Sequence, residues 1–191
     1  MRKTAIALAA GALFCGAAFA QQGTVQRDVN QQQRIESGLQ SGSLTTREAS
    51  KLEGEESRIQ QQQARDLSKG ALTPAEKARL QREQNQASRD INRLESNGAR
   101  GNPNSASSQR MQADVQRNIN QQQRIEQGVK SGQLTNRETA RLERGQAGTD
   151  RREARAGANG NVSAREQRNI QAAENRDSRH VYRQKHDAQA K

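Results

Sequence analysis

The chain has 191 residues, 30% of them apolar and 28% charged, with two phenylalanines, one tyrosine, no tryptophan, one cysteine and a formal net charge of +11. That composition allows one domain of ordinary size or two small ones, and it excludes a disulfide scaffold, an aromatic-lined ligand pocket and a membrane span beyond the leader. Low aliphatic content with high net charge is the usual signature of disorder, so the placement of the few large apolar residues decides the fold.

The first twenty residues read as a secretory leader. Arg2 and Lys3 precede an apolar run from residue 5 to about residue 17, and Ala18-Phe19-Ala20 forms a small-x-small cleavage site. Cleavage after Ala20 leaves 171 residues carrying +9, no cysteine, and Tyr182 as the single aromatic. The expected destination is the periplasm. Lipid attachment at Cys15 would need a small residue before it, where the bulky Phe14 stands.

From Gln21 onward only 23 residues are Leu, Ile, Val, Met or Tyr. Their spacing is helical. Val25, Val29, Ile35 and Leu39 fall within about 120° on a wheel of 100° per residue, and Ala49, Leu52, Ile59 and Leu67 within about 80°. Leu80, Ala87, Ile91 and Leu94 fall within about 60°. Residues 25–53 then align on residues 115–143 at an offset of 90 with 19 of 29 positions identical. This internal duplication predicts two tandem three-helix units, 24–97 and 112–187, joined by a Gly/Asn/Ser/Pro-rich flexible linker at 98–111. Narrow apolar stripes on long polar helices predict an all-α protein, a slim antiparallel bundle or coiled coil with a marginal core. In the second unit Gly145 and Gly148 interrupt the middle helix, which is expected to fray near Gly148. The glutamine runs 31–33, 60–63 and 121–123 read as exposed helical surface.

A shorter motif, G-x-[LV]-[TS]-x-x-E, punctuates the helices four times. Gly42, Gly70, Gly132 and Gly160 end one helix in the left-handed conformation. Thr45, Thr73, Thr135 and Ser163 then cap the next, and Glu48, Glu76, Glu138 and Glu166 close capping boxes three residues on. The apolar residue between them is placed to staple onto the new first turn, and Pro74 takes the favoured first helical position. Half of a calcium-binding EF-hand loop has the same spacing. Its earlier positions, which should supply carboxylates, hold none here: Ser37, Leu39 and Ser41 in the first copy and Gln127, Val129 and Ser131 in the third.

His180 and His186, the only histidines, stand six apart and about 240° around a helix, so they cannot clamp one metal from one face. No cysteine remains after export, and no Gly-rich phosphate loop or aromatic pocket is present, which leaves no framework for catalysis and no cofactor. Basic residues are interleaved with Glu along every helix and become denser at Arg176, Arg179, Arg183 and Lys185. Such a surface suits an acidic partner, while one aromatic offers no stacking for nucleic acid, and export argues against DNA.

The run R-I-x-x-G-[LV]-x-S-G-x-L-T-x-R-E-x-x-x-L-E, carried by residues 34–53 and 124–143, resembles a set of small, basic, helical exported proteobacterial proteins of uncharacterised function. The ending Ser178-Arg179-His180-Val181-Tyr182-Arg183-Gln184-Lys185-His186-Asp187 is similar to theirs. L-T-x-x-E is also similar to the L-T-x-x-Q motif of periplasmic chaperones of the spheroplast protein Y type, with Glu in place of Gln at all four positions. The first resemblance brings no activity with it; leader, narrow stripes and basic surface together read as an exported, non-catalytic interaction protein, chaperone-like or linked to envelope stress, whose partner is a protein client or an envelope component. An EF-hand-like calcium or metal-binding protein and a polyanion-binding basic protein are the alternatives.

Overall fold

The computed structural model describes residues 15–187. Residues 1–14 of the expected leader lie outside them. The described chain is all-α, with six helices: α1 (Cys15–Ser41), α2 (Thr46–Leu67), α3 (Pro74–Glu95), α4 (Ala106–Lys130), α5 (Asn136–Ala156) and α6 (Ala164–Lys185). No described helix is long and apolar enough to cross a membrane. α1 runs through the expected cleavage site at Ala20, and its Thr24 and Val25 are buried.

Local chemistry sets the boundaries of the helices. Thr45, Thr73, Thr135 and Ser163 each make a reciprocal capping box with the Glu three residues on. Ahead of each cap, Gly42, Gly70, Gly132 and Gly160 hold positive φ, a conformation that costs glycine no Cβ clash. Leu44, Leu72, Leu134 and Val162, the apolar residues of the four turns, are all buried. Leu44 and Leu134 fold back onto the helix they follow, and each donates its N–H to a glycine carbonyl, Gly38 at 2.9 Å and Gly128 at 3.1 Å. A Cβ on Gly38 would lie 2.5 Å from Leu44 Cδ1, and one on Gly128 would lie 2.6 Å from Leu134 Cδ1.

Each half runs up, down and up, and the two halves pack into each other. α2 and α5 make the most extensive helix contact in the molecule, followed by α1 and α4. Both pairs are antiparallel. Along α2 and α5, Ser50 meets Gly157, Gly54 meets Ala154, and Ser57 Oγ donates to the Ala147 carbonyl at 2.7 Å. Ser57 and Ala147 are 90 residues apart, so the offset of the duplication is also a pseudo-twofold axis through this contact. α3 packs beside α1 and α2, and α6 beside α4 and α5. Arg27 to Asn85 and Arg117 to Asn175 are matching hydrogen bonds across these flanks.

Three expectations require correction. The linker is shorter than 98–111 and is docked, because Ser105 already caps α4 and the Gly101 N–H donates to the Gly42 carbonyl at 2.9 Å. α5 does not break at Gly148. Its packing on α2 outweighs glycine's low propensity, and Gly145 leaves room for Asp177 of α6, whose Oδ1 would lie 2.9 Å from a Cβ there. Finally, Gln31, Gln32, Gln60, Gln63, Gln121 and Gln122 are buried, not exposed.

Gly38→Ala should destabilise the protein by about 1–3 kcal/mol, because overpacking against Leu44 exceeds the helix-propensity gain of about 1 kcal/mol. Gly148→Ala, where an added Cβ meets only the far end of the Arg152 side chain at 3.4 Å, should instead raise the thermal midpoint. Thermal unfolding by circular dichroism checks both signs.

Candidate functional site

Apolar contacts hold the two ends of the bundle. At one end Ile35, Leu39, Leu52, Met111, Val115 and Ile170 cluster together. At the other lie Val25, Ile125, Val129, Leu142 and Val181, with Ile59, Leu67, Leu72 and Leu80 beside them. Between the ends the inward positions become polar. Asp28 and Gln32 on α1, Glu53, Glu56, Gln60 and Gln63 on α2, Asn118 and Gln122 on α4, and Glu143, Gln146, Asp150 and Glu153 on α5 are all buried. Asp114 and Glu174 extend this layer toward α6.

Eight carboxyl groups thus occupy this layer: Asp28, Glu53, Glu56, Asp114, Glu143, Asp150, Glu153 and Glu174. No lysine or arginine among the described residues is buried with them. The one ion pair the layer makes among those residues joins Arg117 Nη1 to Glu174 Oε2 at 3.4 Å. Amides do most of the compensating. Gln32 Nε2 donates to Glu53 at 2.9 Å, Gln122 Nε2 to Glu143 at 3.4 Å, and Gln84 Nε2 to Asp28 at 2.8 Å. Asn118 Nδ2 lies 3.2 Å from Asp150 Oδ1 and 2.9 Å from both Glu153 oxygens. A charge taken from water with so few partners is costly, and the groups respond by holding their protons. Burial pushes Asp28 and Glu53 up to about 7, against the lowering effect of their amide partners. Asp114 also rises to about 7 and Glu174 to about 8. Burial and mutual repulsion push Glu56, Asp150 and Glu153 well above the ordinary carboxylate range, and burial with the charge of Asp28 does the same to Glu143.

The residues singled out from the sequence lie elsewhere. The motifs around Gly42 and Gly160 share one end of the bundle, where Arg47 Nη2 donates to the Asn159 carbonyl at 3.1 Å. Glu48, Glu76, Glu138 and Glu166 each turn Oε2 back onto their own cap, accepting its N–H and hydroxyl at 2.6–2.9 Å. Those bonds hold Glu76 and Glu166 below the ordinary carboxylate range. His180 and His186 are exposed, and His186 stacks on Tyr182 with ring centroids 4.2 Å apart. Tyr182 is the one large apolar side chain exposed among the described residues, at 59%, and it shares a shallow groove with Arg124, Arg179 and Arg183.

The acidic layer was missed because the helical wheels counted apolar residues alone. Its signal is present in the sequence: Glu53, Glu56, Gln60 and Gln63 continue the α2 stripe at spacings of three and four, and Glu143, Gln146, Asp150 and Glu153 repeat those spacings 90 residues later.

Fold and layer together define an all-α bundle with acidic groups inside and basic groups outside. Set against protein-family models, curated protein sequences and solved structures, the chain matches none.

Raised carboxyl pKa values mean that the folded state keeps protons the unfolded chain has released. The resulting stabilisation is complete below the unfolded carboxyl range near 4 and is lost as pH rises through about 7 to 8. In buffer stripped of divalent cations the thermal midpoint should therefore fall between pH 5 and pH 8. Glu174 faces Asp114 and Arg117 of α4, Glu153 of α5, and Asp177 of its own helix. Glu174→Gln should flatten the fall, as differential scanning calorimetry across that range would show.

Proposed function

We propose that the protein is an exported, non-catalytic interaction protein of the periplasm, chaperone-like in action, which holds acidic macromolecular partners on an arginine-rich exterior. The observation that carries this reading is the segregation of charge. Eleven of the chain's 21 carboxyl residues are buried, eight of them in the central layer, while the described lysines and arginines stay at the surface. Net charge therefore understates what a partner meets: 29 Lys and Arg between residues 23 and 187 stand against 13 carboxylates outside the layer. Such an excess steers polyanions and acidic segments to the surface and weakens with ionic strength.

The groove beside α6 joins that charge to an apolar surface. Arg124, Arg179 and Arg183 surround the exposed face of Tyr182, so a cationic rim borders the one apolar platform on the described surface. Aromatic and arginine side chains are the usual anchors of binding interfaces. The leader read from residues 1–20 and the L-T-x-x-E resemblance supply the periplasmic and chaperone-like parts of the reading.

Binding of heparin, or of an acidic unfolded model client, should weaken steeply between 50 and 300 mM salt, roughly as expected for screening over a Debye length that shrinks from about 14 to about 6 Å. Replacing Arg179, Tyr182 and Arg183 together by alanine should weaken binding at least tenfold without loss of helix content. A flat salt response, or an unaffected triple variant that still binds, would sink the proposal. Suppression of client aggregation by the parent protein, lost in the variant, would mark the interaction as chaperone-like.

A further inference from the structure

The two sides of the buried layer differ chemically. Under the 90-residue offset, Glu53 corresponds to Glu143, Gln60 to Asp150, Gln63 to Glu153, and Asp28 to Asn118. One side therefore combines Glu53, Asp150 and Glu153 with Asn118. The other, by the same operation, has Glu143 and Asp28 with Gln60 and Gln63. All of these side chains are buried, so the layer packs with neutral amides at two positions where the second half carries carboxylates. Asp150 and Glu153 accept from the Asn118 amide, yet an enclosed carboxyl group is costlier to ionise than an amide is to bury.

Geometry indicates what would offset that cost. One oxygen from each of Glu53, Asp150 and Glu153 lies within 4.8 Å of the others. That is the span of two ligands on opposite sides of an ion with oxygen bonds of about 2.4 Å. Asn118 enters the same point from a third helix. Its amide nitrogen faces Asp150 and Glu153 at 2.9–3.2 Å, while its Oδ1 is buried without a partner. Glu53 Oε1 and Asp150 Oδ2 also lack hydrogen-bond partners. Beside them Glu56, 1% exposed, carries an unpartnered Oε2 and acts electrostatically on Asp150.

We propose that Glu53, Asp150 and Glu153 bind one hard divalent cation of the calcium or manganese kind between α2 and α5, the ion displacing the Asn118 amide from their oxygens. A donor set made only of oxygen favours such an ion over zinc or copper. Bound there, the ion bridges the two halves of the chain across their principal contact and holds α2 against α5. This site is independent of the arginine surface, and either can fail without the other.

The test uses the full chain after chelator treatment and dialysis, equilibrated overnight with calcium or manganese because the site is enclosed. Calorimetry should give one site per chain, the electron paramagnetic resonance signal of free manganese should fall in proportion, and the thermal midpoint should rise. The double variant Asp150→Asn/Glu153→Gln gives the second half the neutral character of Gln60 and Gln63. It should keep the helical spectrum and bind at least tenfold more weakly. If the double variant does not fold, Glu153→Gln alone is read in the same way. No heat, no manganese depletion and no thermal shift at millimolar ion would overturn the proposal, as would unchanged affinity in the variant.

Discussion

The antiparallel contact of α2 with α5 is the constraint on which the remaining structure depends. Its two helices come from opposite halves of the chain, and small residues at Gly54, Ser57, Ala147 and Ala154 let their backbones approach until Ser57 hydroxyl meets the Ala147 carbonyl. Once these helices are fixed, α1 and α4 close over them in the same antiparallel sense, and α3 and α6 cover the flanks. Each apolar cluster draws residues from both halves. The cluster containing Ile35 and Leu52 is completed by Met111, Val115 and Ile170 from the other half. A chain with so few large apolar residues reaches a closed core by sharing them across the pseudo-twofold axis.

The same economy explains the polar interior. Apolar residues suffice to seal the two ends, and the stretch between them is filled by glutamine, asparagine and carboxyl side chains. Buried amides satisfy part of this layer, but oxygens of Gln60, Glu56 and Asp150 remain without partners. Polar interiors with incomplete hydrogen bonding are costly compared with apolar ones. Stability here accordingly depends on what neutralises the acids, whereas in an ordinary bundle it depends on buried area.

Much of the fold could be read from the sequence, because capping chemistry is local. Gly42, Thr45 and Glu48 need only one another to mark a helix boundary, and their three copies behave alike. The stripe containing Val25, Ile35 and Leu39 likewise declares which face of α1 turns inward. How the halves meet was not legible, since no local rule distinguishes a separate three-helix unit from one completed by its duplicate. The acidic layer escaped for a related reason. Glu and Gln are good helix formers that usually face water, and only the tertiary pairing of α2 with α5 encloses Glu53, Gln63 and Glu153. Gly148 shows the same override, with a helix breaker held straight by its neighbours.

The pseudo-twofold axis gives the single chain the geometry of a homodimer whose subunits have been fused. Two identical three-helix chains would associate only above a threshold concentration, and a dilute compartment would leave them apart. Joining them through the short docked segment around Gly101 replaces that bimolecular step with an intramolecular one of high effective concentration. Fusion also removes a restriction that symmetry imposes. In a true homodimer any change at position 60 or 63 appears twice across the axis, doubling the charge placed inside. In the fused chain the two copies vary independently, so glutamines can stay on one side while Asp150 and Glu153 occupy the other.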